Sequence, residues 1–369
     1  MRLDVIPAVT IFEFAPAADE IWGLEPSPET GYARRDPVHG TITFLDVPRH
    51  DAKMRPRVKA LYAGGKATNV ARVFDRLLGA SPVATPARRD ELRATLVTFL
   101  SESRPRDDAS PALTPGAVFV QALQRREMRR ITLTYETFPP REGLIADRRC
   151  IHLFDERDRT DLLNFSPRLH WSDLEQTVVL ACLRRSPPTG LVVLAGSAPL
   201  GVETLYREII TTLRTTSPGI RIAVDIDVPS LVRCLSEGAP PDFVSMNRKE
   251  YNSVEARFWE AFEGVLHVHD HSGAYVWRGD GARLHRSDAG LFHASVSPLT
   301  TRFGPATGPT IGAGDAAHAG LLFGLLAGLD LHAAVRLGQA VAADAVRNAE
   351  GTRGLEPERI RTYLDALGS

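Results

Sequence analysis

Residues 310–326 read TIGAGDAAHAGLLFGLL, and this stretch decides the fold class. Gly312 and Gly314 flank a small residue, an aspartate follows at once, and a long apolar run continues with helical character. This order predicts a tight turn that opens a buried helix. The first N–H groups of such a helix have no partner within it, and the helix dipole adds positive potential there. The stretch therefore predicts an anion cradle formed by Gly312, Ala313 and Gly314.

Asp315 lies directly beside this predicted cradle. A carboxylate next to a bound phosphate is repelled, so its presence there indicates a chemical task. The task that fits is to take a proton from an attacking hydroxyl while the cradle and a metal ion hold the phosphoryl group. We therefore predict Asp315 as a general base.

Two other interpretations of this stretch stay open at this point. Gly312, Gly314 and Ala317 also match the Gly-x-Gly-x-x-Ala pattern of a dinucleotide site. That site expects a strand just before the glycines and an acidic residue about 20 positions later. Here Pro309 and Thr310 precede the glycines. The second interpretation is an ordinary loop-to-helix turn with an aspartate in its first turn.

Composition places the chain among ordinary globular proteins and disfavours some partners. The chain has 369 residues, of which 43% are hydrophobic and 24% charged, so it can bury a large core in one or more domains. A formal net charge of -1 argues against nucleic-acid binding. The three widely spaced cysteines fit no metal-ligand spacing and indicate a reducing compartment. The N-terminal residues lack the apolar core of a signal peptide, and the longest apolar stretch is too short to cross a bilayer. We predict a cytoplasmic protein with no membrane partner.

Strand-like and helix-like segments alternate through the second half of the chain. Short apolar runs at 191–195, 222–226, 242–247 and 265–268 are typical of buried strands, and residues 203–213 show helical spacing. This alternation predicts an α/β fold with a mostly parallel sheet and helices on both faces. Ligands of such folds bind at the carboxyl ends of the strands. Residues 41–45 and 131–135 alternate like half-exposed strands and predict a small accessory sheet separate from the central one.

A second informative stretch, AGGKATNVARVF, covers residues 63–74. Gly64 and Gly65 let the backbone approach a ligand, Lys66 supplies positive charge, and Asn69 supplies both a donor and an acceptor. Apolar residues then follow at helical spacing, and Gly79 predicts the end of the helix. This pattern suits a polyhydroxylated or anionic small molecule. A glycine turn with a surface lysine is the alternative.

Together the two stretches resemble the ribokinase-like (PfkB) carbohydrate kinases. The Gly-Ala-Gly-Asp turn at 312–315 is similar to the family's late signature, and the Gly-Gly-Lys-x-x-Asn turn at 64–69 to its early one. Further segments agree in order along the chain: 15–19, 130–133, 160–167, 195–202 and 246–250. The form of residues 69–79 looks most like the 1-phosphofructokinase and tagatose-6-phosphate kinase branch.

The resemblance implies ATP-dependent phosphorylation of a sugar or sugar phosphate, with ATP as the donor and Mg²⁺ bridging its phosphates. It implies one ribokinase-like domain over residues 1–369 with a small β-sheet lid, whose strands we expect within 20–62 and 128–165. The lid would exclude water from the site. Lid-mediated homodimers are a further implication.

The resemblance also assigns roles to individual residues. Asp315 would be the base, and Gly312, Ala313 and Gly314 the anion hole. The residues implied in substrate binding are Asp19, Gly64, Gly65, Lys66, Asn69, Arg130 and Asn164, with Lys66 and Arg130 suited to a phosphate already on the substrate. Asn247 and Glu250 would act near the nucleotide phosphates and the magnesium ion, Glu250 through water. Gly273 is the one match to the family's glycine-containing nucleotide loop.

Several alternatives remain at the level of sequence. The enzyme could instead phosphorylate an unphosphorylated sugar or a nucleoside, for which Lys66 and Arg130 would be dispensable. A non-catalytic sugar or nucleotide sensor is the alternative from another class, and retention of Asp315 argues against it. His267, His269 and His271 alternate as a metal site would require, but histidines at a strand edge are the more common explanation.

Overall fold

The computed structural model describes residues 8–24, 33–35, 42–44, 57–79, 91–101, 116, 119–120, 123, 128–139, 141–155, 160–165, 168–278, 292–304, 312–348 and 351–368. Thr310 and Ile311, the first two residues of the stretch quoted above, lie outside these ranges. All statements below concern the described residues.

The strands, in chain order, are β1 (Ala8–Glu13), β2 (Ala17–Leu24), β3 (Ala33–Arg35), β4 (Ile42–Phe44), β5 (Arg57–Gly64), β6 (Arg93–Ser101), β7 (Thr132–Phe138), β8 (Arg148–Asp155), β9 (Thr160–Phe165), β10 (Leu191–Gly196), β11 (Arg221–Ile226), β12 (Phe243–Asn247), β13 (Val265–Asp270), β14 (Gly273–Arg278) and β15 (Phe292–Ser295). The helices are α1 (Lys66–Gly79), α2 (Asp173–Arg185), α3 (Leu205–Thr216), α4 (Val228–Ser236), α5 (Arg248–Ser253), α6 (Ala256–Glu260), α7 (Ser297–Phe303), α8 (Ala313–Leu326), α9 (Leu331–Arg347) and α10 (Pro357–Gly368), with a 3₁₀ turn at Gly351–Gly354.

A large, mostly parallel sheet forms the centre of the molecule. Its strand order is β15-β14-β13-β12-β11-β10-β1-β6-β7. Along this order, every neighbouring pair between β13 and β7 is parallel. Strands β14 and β15 are antiparallel additions at one edge. The four predicted buried strands correspond to β10–β13, and α3 follows β10 as the helical spacing indicates. The predicted α/β fold with a mostly parallel sheet is confirmed.

Helices cover both faces of this sheet because its central strands are apolar on both sides. In β10, Leu191, Val193 and Ala195 belong to one core with α1, α8, α9 and α10, while Val192 and Leu194 belong to the other with α2, α3 and α4. Continuous apolar strands of this kind need a helical layer on each face. The carboxyl ends of β1, β10, β11, β12 and β13 are thereby left as the open edge of the sheet.

Helix α8 is buried along its whole length from Asp315 to Leu326. It packs against α1 through Phe74 and Phe323, whose ring centroids are 5.6 Å apart. On its other side a Cβ on Gly320 would lie 2.8 Å from the Cα of Gly338 in α9, so the two helices meet backbone to backbone. A helix that is apolar all round is stable only when enclosed in this way. This packing fixes the position of Asp315.

Four strands form a separate smaller sheet in the order β5-β2-β8-β9, and β3 pairs with β4 in a two-stranded sheet. These strands fall largely within the ranges predicted for the lid. Their role as a lid, the single domain and the homodimer stay predictions.

The expectation for residues 131–135 was wrong. Strand β7 joins the large sheet, parallel to β6 with Thr95 opposite Thr132. It is the edge strand, with most of its residues partly or fully exposed, so it shows the same half-buried alternation as an accessory strand.

Cys150 and Cys234 are buried, and within the described residues none of the three cysteines forms a disulfide. None of the helices in the described ranges has the length and apolar character needed to cross a bilayer.

Candidate active site

The N-terminus of α8 has the geometry of an anion cradle. Gly312 is its N-cap residue, with a φ of 77° that favours glycine, and it makes no side-chain cap. The first intrahelical bond runs from the N–H of Ala316 to the carbonyl of Gly312, at 2.8 Å. The preceding N–H groups, on Ala313, Gly314 and Asp315, belong to the turn in which a helix cannot satisfy its own donors. An anion is the natural partner for them.

Asp315 is buried in the first turn of α8, with 6% of its surface exposed. Its Oδ2 accepts a hydrogen bond from Nδ2 of Asn69 at 2.7 Å. Burial, opposed by the charge of Lys66 and aided by that of Asp225, raises the pKa of Asp315 from 3.8 to about 7. A carboxylate with a pKa near neutrality is well matched to accept a proton at physiological pH.

The orientation of the Asn69 amide is fixed by donors on its other side. Arg72 and Thr352 both donate to its Oδ1, at 2.9 and 3.0 Å. Because guanidinium only donates, it must face the amide oxygen, and this turns the NH₂ group toward Asp315. Arg72 is 1% exposed and also donates to the carbonyl of Ala63 at 2.6 Å. The sequence missed Arg72 and Thr352; Arg72 carries a signal, since it is a charged residue on the apolar face of a predicted helix.

Lys66 begins α1 and reaches the end of a neighbouring strand. Its Nζ lies 2.6 Å from Oδ1 of Asp225, the penultimate residue of β11. Burial opposes the charge on Lys66, but Asp225, Asp315 and Glu250 outweigh it and raise the pKa of the ammonium group. The Lys66 ammonium group therefore interacts electrostatically with three carboxylates and stays charged at neutral pH.

Glu13, a buried carboxylate at the end of β1, packs against the turn that contains Gly65. It accepts hydrogen bonds from the N–H of Ala15 at 2.9 Å and from the N–H and hydroxyl of Thr68 at 2.8 and 2.9 Å. Gly65 has a φ of 117°, and a Cβ there would lie 2.2 Å from Oε2 of Glu13. The glycine is therefore required by the carboxylate beneath it. An acidic residue ending an apolar strand was the signal that the sequence offered.

Asn247 and Glu250 cap one another at the start of α5. Oδ1 of Asn247 accepts from the N–H of Glu250, and Oε2 of Glu250 accepts from the N–H of Asn247, each at 2.9 Å. This is a reciprocal capping box, which gives both residues a structural task. Glu250 is also close enough to Lys66 and His269 to influence the pKa of each. The structure thus brings this pair to the same edge of the sheet as Asp225 and Asp315.

Gly273 has a structural reason to be glycine. Its φ is 144°, and a Cβ there would lie 2.1 Å from the carbonyl oxygen of Ala294 in β15. Close pairing of two strands explains the residue without a ligand.

His267 is buried, and its Nδ1 lies 2.9 Å from the hydroxyl of Ser245. Across the described ranges, no group of three or more histidine, cysteine, aspartate or glutamate side chains is arranged to hold a metal ion.

Two cavities open at the carboxyl edge of the sheet. One, of about 630 Å³, lies over the ends of β12 and β13, where its polar wall includes Asn247, His269 and Gly314 and its apolar wall Val296, Ala342, Ala343 and Val346. The other, of about 520 Å³, lies over the ends of β1, β10 and β11, with Arg148, Arg168, Ser197 and Asp227 in its lining. Asp225 lies on β11, the strand of the second group that neighbours β12 of the first.

The remaining predicted residues are placed less centrally. Gly64 ends β5, and Asp19 and Asn164 lie on β2 and β9 of the smaller sheet, opposite Cys150 and His152 respectively. The structure does not bring Arg130 to the site. Its guanidinium lies 3.8 Å from Asp75, near the end of α1, and it precedes β7 at the edge of the sheet opposite the carboxyl ends.

Arg148 is a cavity-lining arginine that the sequence prediction did not include. It starts β8, where its N–H donates to the carbonyl of Pro16 at 3.2 Å, and it lines the 520 Å³ cavity. Its charge lowers the pKa of Glu13, so it lies near the Gly65 turn.

Residues 299–358 match the family model of the pfkB family carbohydrate kinases. This segment contains the Gly312–Asp315 turn, and together with the fold it confirms the predicted resemblance to that family. No curated protein is significantly similar to the chain in sequence.

Solved structures agree with the fold over nearly the whole chain. Phosphofructokinase-2 from Escherichia coli, in complex with substrates and products, superposes with a TM-score of 0.66 at 17% identity, covering 98% of this chain and 99% of that one. A possible 1-phosphofructokinase from Thermotoga maritima gives 0.61 at 17% identity, with 97% of each chain covered. A carbohydrate kinase from Agrobacterium tumefaciens gives 0.61 at 15% identity, also with 97% of each covered. At these identities the likeness shows the ribokinase-like fold.

Proposed function

We propose that the protein is an ATP-dependent kinase of a sugar phosphate, similar to the phosphofructokinases and tagatose-6-phosphate kinases. A hydroxyl oxygen of the sugar attacks the terminal phosphorus of ATP, and its proton passes to Asp315. The bond between that phosphorus and the bridging oxygen breaks, and ADP leaves with the bond electrons. The N–H groups of Ala313, Gly314 and Asp315 stabilise the charge on the transferring group.

The observation that carries this proposal is the environment of Asp315. It is a buried carboxylate whose pKa is raised to about 7, at the start of a helix whose first N–H groups suit a phosphoryl group. Asn69 orients it through one oxygen, which leaves the other for a substrate proton. Burying a carboxylate costs stability, so its place beside an anion cradle indicates a chemical task.

The 630 Å³ cavity supports ATP as the donor. Its apolar wall of Val296, Ala342, Ala343 and Val346 suits a base, and its polar end at Gly314 and Asn247 suits phosphates. Magnesium prefers oxygen ligands and keeps much of its water when it also binds phosphates. Glu250, with Asn247 beside it, fits such a site, with Glu250 acting through water. The ion would neutralise charge on the phosphates when bound.

The 520 Å³ cavity supports a phosphorylated acceptor. Arg148 and Arg168 line it together with the Ser197 hydroxyl, and guanidinium groups bind phosphate with two donors at once. A phosphate would offer these guanidinium groups a charged acceptor for two donors at once, whereas an unphosphorylated sugar would offer them only neutral hydroxyl groups. The cavity therefore favours a sugar phosphate over a free sugar or nucleoside.

The test is ATP consumption against a panel of sugars, sugar phosphates and nucleosides, with wild type, Asp315→Asn and Asp330→Asn. Asp330 caps α9 through its side chain, and asparagine caps equally well, so this variant controls for the substitution itself. We expect turnover of a sugar phosphate that falls about 1,000-fold in Asp315→Asn and stays unchanged in Asp330→Asn.

Other outcomes separate the alternatives. Turnover of unphosphorylated compounds alone would retain the kinase and contradict the phosphorylated acceptor. Tight binding of ATP or a sugar without turnover of any compound would favour a sensor.

A further inference from the structure

His269 packs directly against the anion cradle. It is the penultimate residue of β13, and a Cβ on Gly314 would lie 2.6 Å from its Cε1 and 3.0 Å from its Nε2. A side chain at position 314 would therefore displace the imidazole from this place. The Cε1–Nε2 edge of the ring is the one turned toward the first turn of α8.

The ring of His269 is available to a ligand. It lines the 630 Å³ cavity together with Gly314 and Asn247. Among the described residues, none makes a hydrogen bond to its nitrogens, whereas Nδ1 of the neighbouring His267 is engaged by Ser245. The two rings are 5.6 Å apart, so the adjacent histidines differ in what they can do. His267 has a partner within the sheet, and His269 faces the cavity.

The surroundings of His269 favour its neutral form. Burial lowers its pKa, and Lys66 acts in the same direction, while Asp225, Glu250 and Asp270 oppose them. Its buried neighbours His267 and His318 also have lowered pKa values, so they do not add positive charge. A neutral imidazole still has one N–H to donate. The negative charge of a bound nucleotide would favour uptake of a second proton.

We propose that His269 is a catalytic residue that donates a hydrogen bond from Nε2 to the terminal phosphoryl group of a nucleoside triphosphate. It would add one side-chain donor to the backbone donors of Ala313, Gly314 and Asp315. This inference rests on the proposed function, because it presumes that a nucleotide occupies the 630 Å³ cavity. A donor aimed at charge that develops during transfer lowers the barrier more than it tightens binding.

The variants His269→Leu and His269→Gln separate this role from packing. Leucine keeps an apolar group of similar size against Gly314 and removes the donor, while glutamine keeps an N–H group. His293→Leu is the matched control, since His293 is an exposed histidine on β15 that stacks on Tyr275. Steady-state kinetics give kcat and KM for ATP, and calorimetry gives the affinities for ATP and ADP.

We expect kcat to fall about 100-fold in His269→Leu, with partial recovery in His269→Gln and no change in His293→Leu. The affinity for ADP, which lacks the terminal phosphoryl group, should stay within about twofold of wild type, while that for ATP weakens. Unchanged kcat in His269→Leu, or equal losses of ADP and ATP affinity, would overturn the inference.

Failure of the proposed function gives a different result. If the wild type turns over no acceptor, the kinase proposal fails. The role of His269 is then decided by the ATP and ADP affinities alone, since loss of preference for ATP in His269→Leu supports the contact and an unchanged preference refutes it. Should His269→Leu not fold, the same comparison in His269→Phe decides, because phenylalanine keeps a ring against Gly314 and has no donor.

Discussion

Nδ2 of Asn69 donates a hydrogen bond of 2.7 Å to Oδ2 of Asp315, joining two sequence signatures that are 246 residues apart. Each signature opens a helix, and both helices point their N-termini at one place. The family resemblance assigned Asn69 to the sugar; in the structure it holds the proposed base. The amide therefore sets both the direction of the carboxylate and its affinity for a proton.

Replacing Asn69 with leucine should move the pH dependence of the reaction. The hydrogen bond from Asn69 lowers the pKa of Asp315, which burial raises to about 7, so its loss raises that pKa further. The acidic limb of kcat/KM should then shift upward by about one pH unit, since a hydrogen bond to a charged group contributes about 1.5–3 kcal/mol before solvent screening. A pH profile from 5 to 9 measures it.

Asn252→Leu is the control for this prediction, because Asn252 is an exposed residue of α5. An acidic limb that stays in place in Asn69→Leu, with kcat/KM reduced equally at every pH, would mean that Asn69 acts on the substrate instead of on Asp315.

Glu13 should make stability depend on pH in an unusual direction for a carboxylate. Burial raises its pKa from 4.5 to about 6, so the folded protein binds this proton more tightly than the unfolded chain does. Its contribution is therefore fully present below pH 4.5 and is lost as the pH rises through 6. Relative to Glu13→Gln, which has no such proton, the wild type should gain about 2 kcal/mol of unfolding free energy on going from pH 7 to pH 4.5.

Urea unfolding of both proteins at several pH values measures this difference, with all other titrations cancelling between them. A difference that stays constant across the range would show that Glu13 does not change its protonation on folding.

Alanine at Gly65 should cost much more stability than alanine at Gly143. Both glycines have positive φ, 117° and 77°, but a Cβ at Gly65 would overlap Glu13 at 2.2 Å, whereas nothing lies within 4 Å of one at Gly143. Gly143→Ala should therefore lose only the backbone term, about 1 kcal/mol. Gly65→Ala should lose at least about 2 kcal/mol more, because the buried carboxylate and its three hydrogen bonds must move.

Equilibrium unfolding of the two variants gives the comparison. Equal losses would indicate that Glu13 moves aside without cost.

The fold followed from the sequence because its main signals are local. The apolar runs that became β10–β13 and the turns that open α1 and α8 are each encoded within about a dozen residues. The sheet to which β7 belongs was predicted wrongly, because a strand at the edge of a large sheet and a strand of a small sheet have the same half-buried alternation. Only the pairing partner, β6, distinguishes them.

Parts of the site depend on contacts that no local pattern encodes. Glu13 and Gly65 are 52 positions apart, and neither residue by itself indicates the other. Lys66 was singled out for its charge, yet its partner Asp225 comes from a strand 159 positions away. Likewise, only the strand pairing shows that Arg130 precedes a strand of the large sheet and that Arg148 starts a strand of the smaller one.

Arg148 and Arg130 should respond differently when changed to alanine. Arg148 lines the 520 Å³ cavity proposed for the acceptor's phosphate, whereas Arg130 pairs with Asp75 near the far end of α1. A hydrogen bond between charged groups contributes about 1.5–3 kcal/mol, so Arg148→Ala should raise KM for the sugar phosphate about 10- to 100-fold with a smaller effect on kcat. Arg130→Ala should leave KM within about twofold, because the half-exposed guanidinium pairs with the buried Asp75 away from this cavity. Kinetics with the acceptor varied at saturating ATP distinguish the two, and inorganic phosphate as a competitive inhibitor gives a second measure that should weaken only in Arg148→Ala. The reverse pattern would assign the phosphate contact to Arg130. Acceptor binding would then involve the edge of the sheet opposite the carboxyl ends.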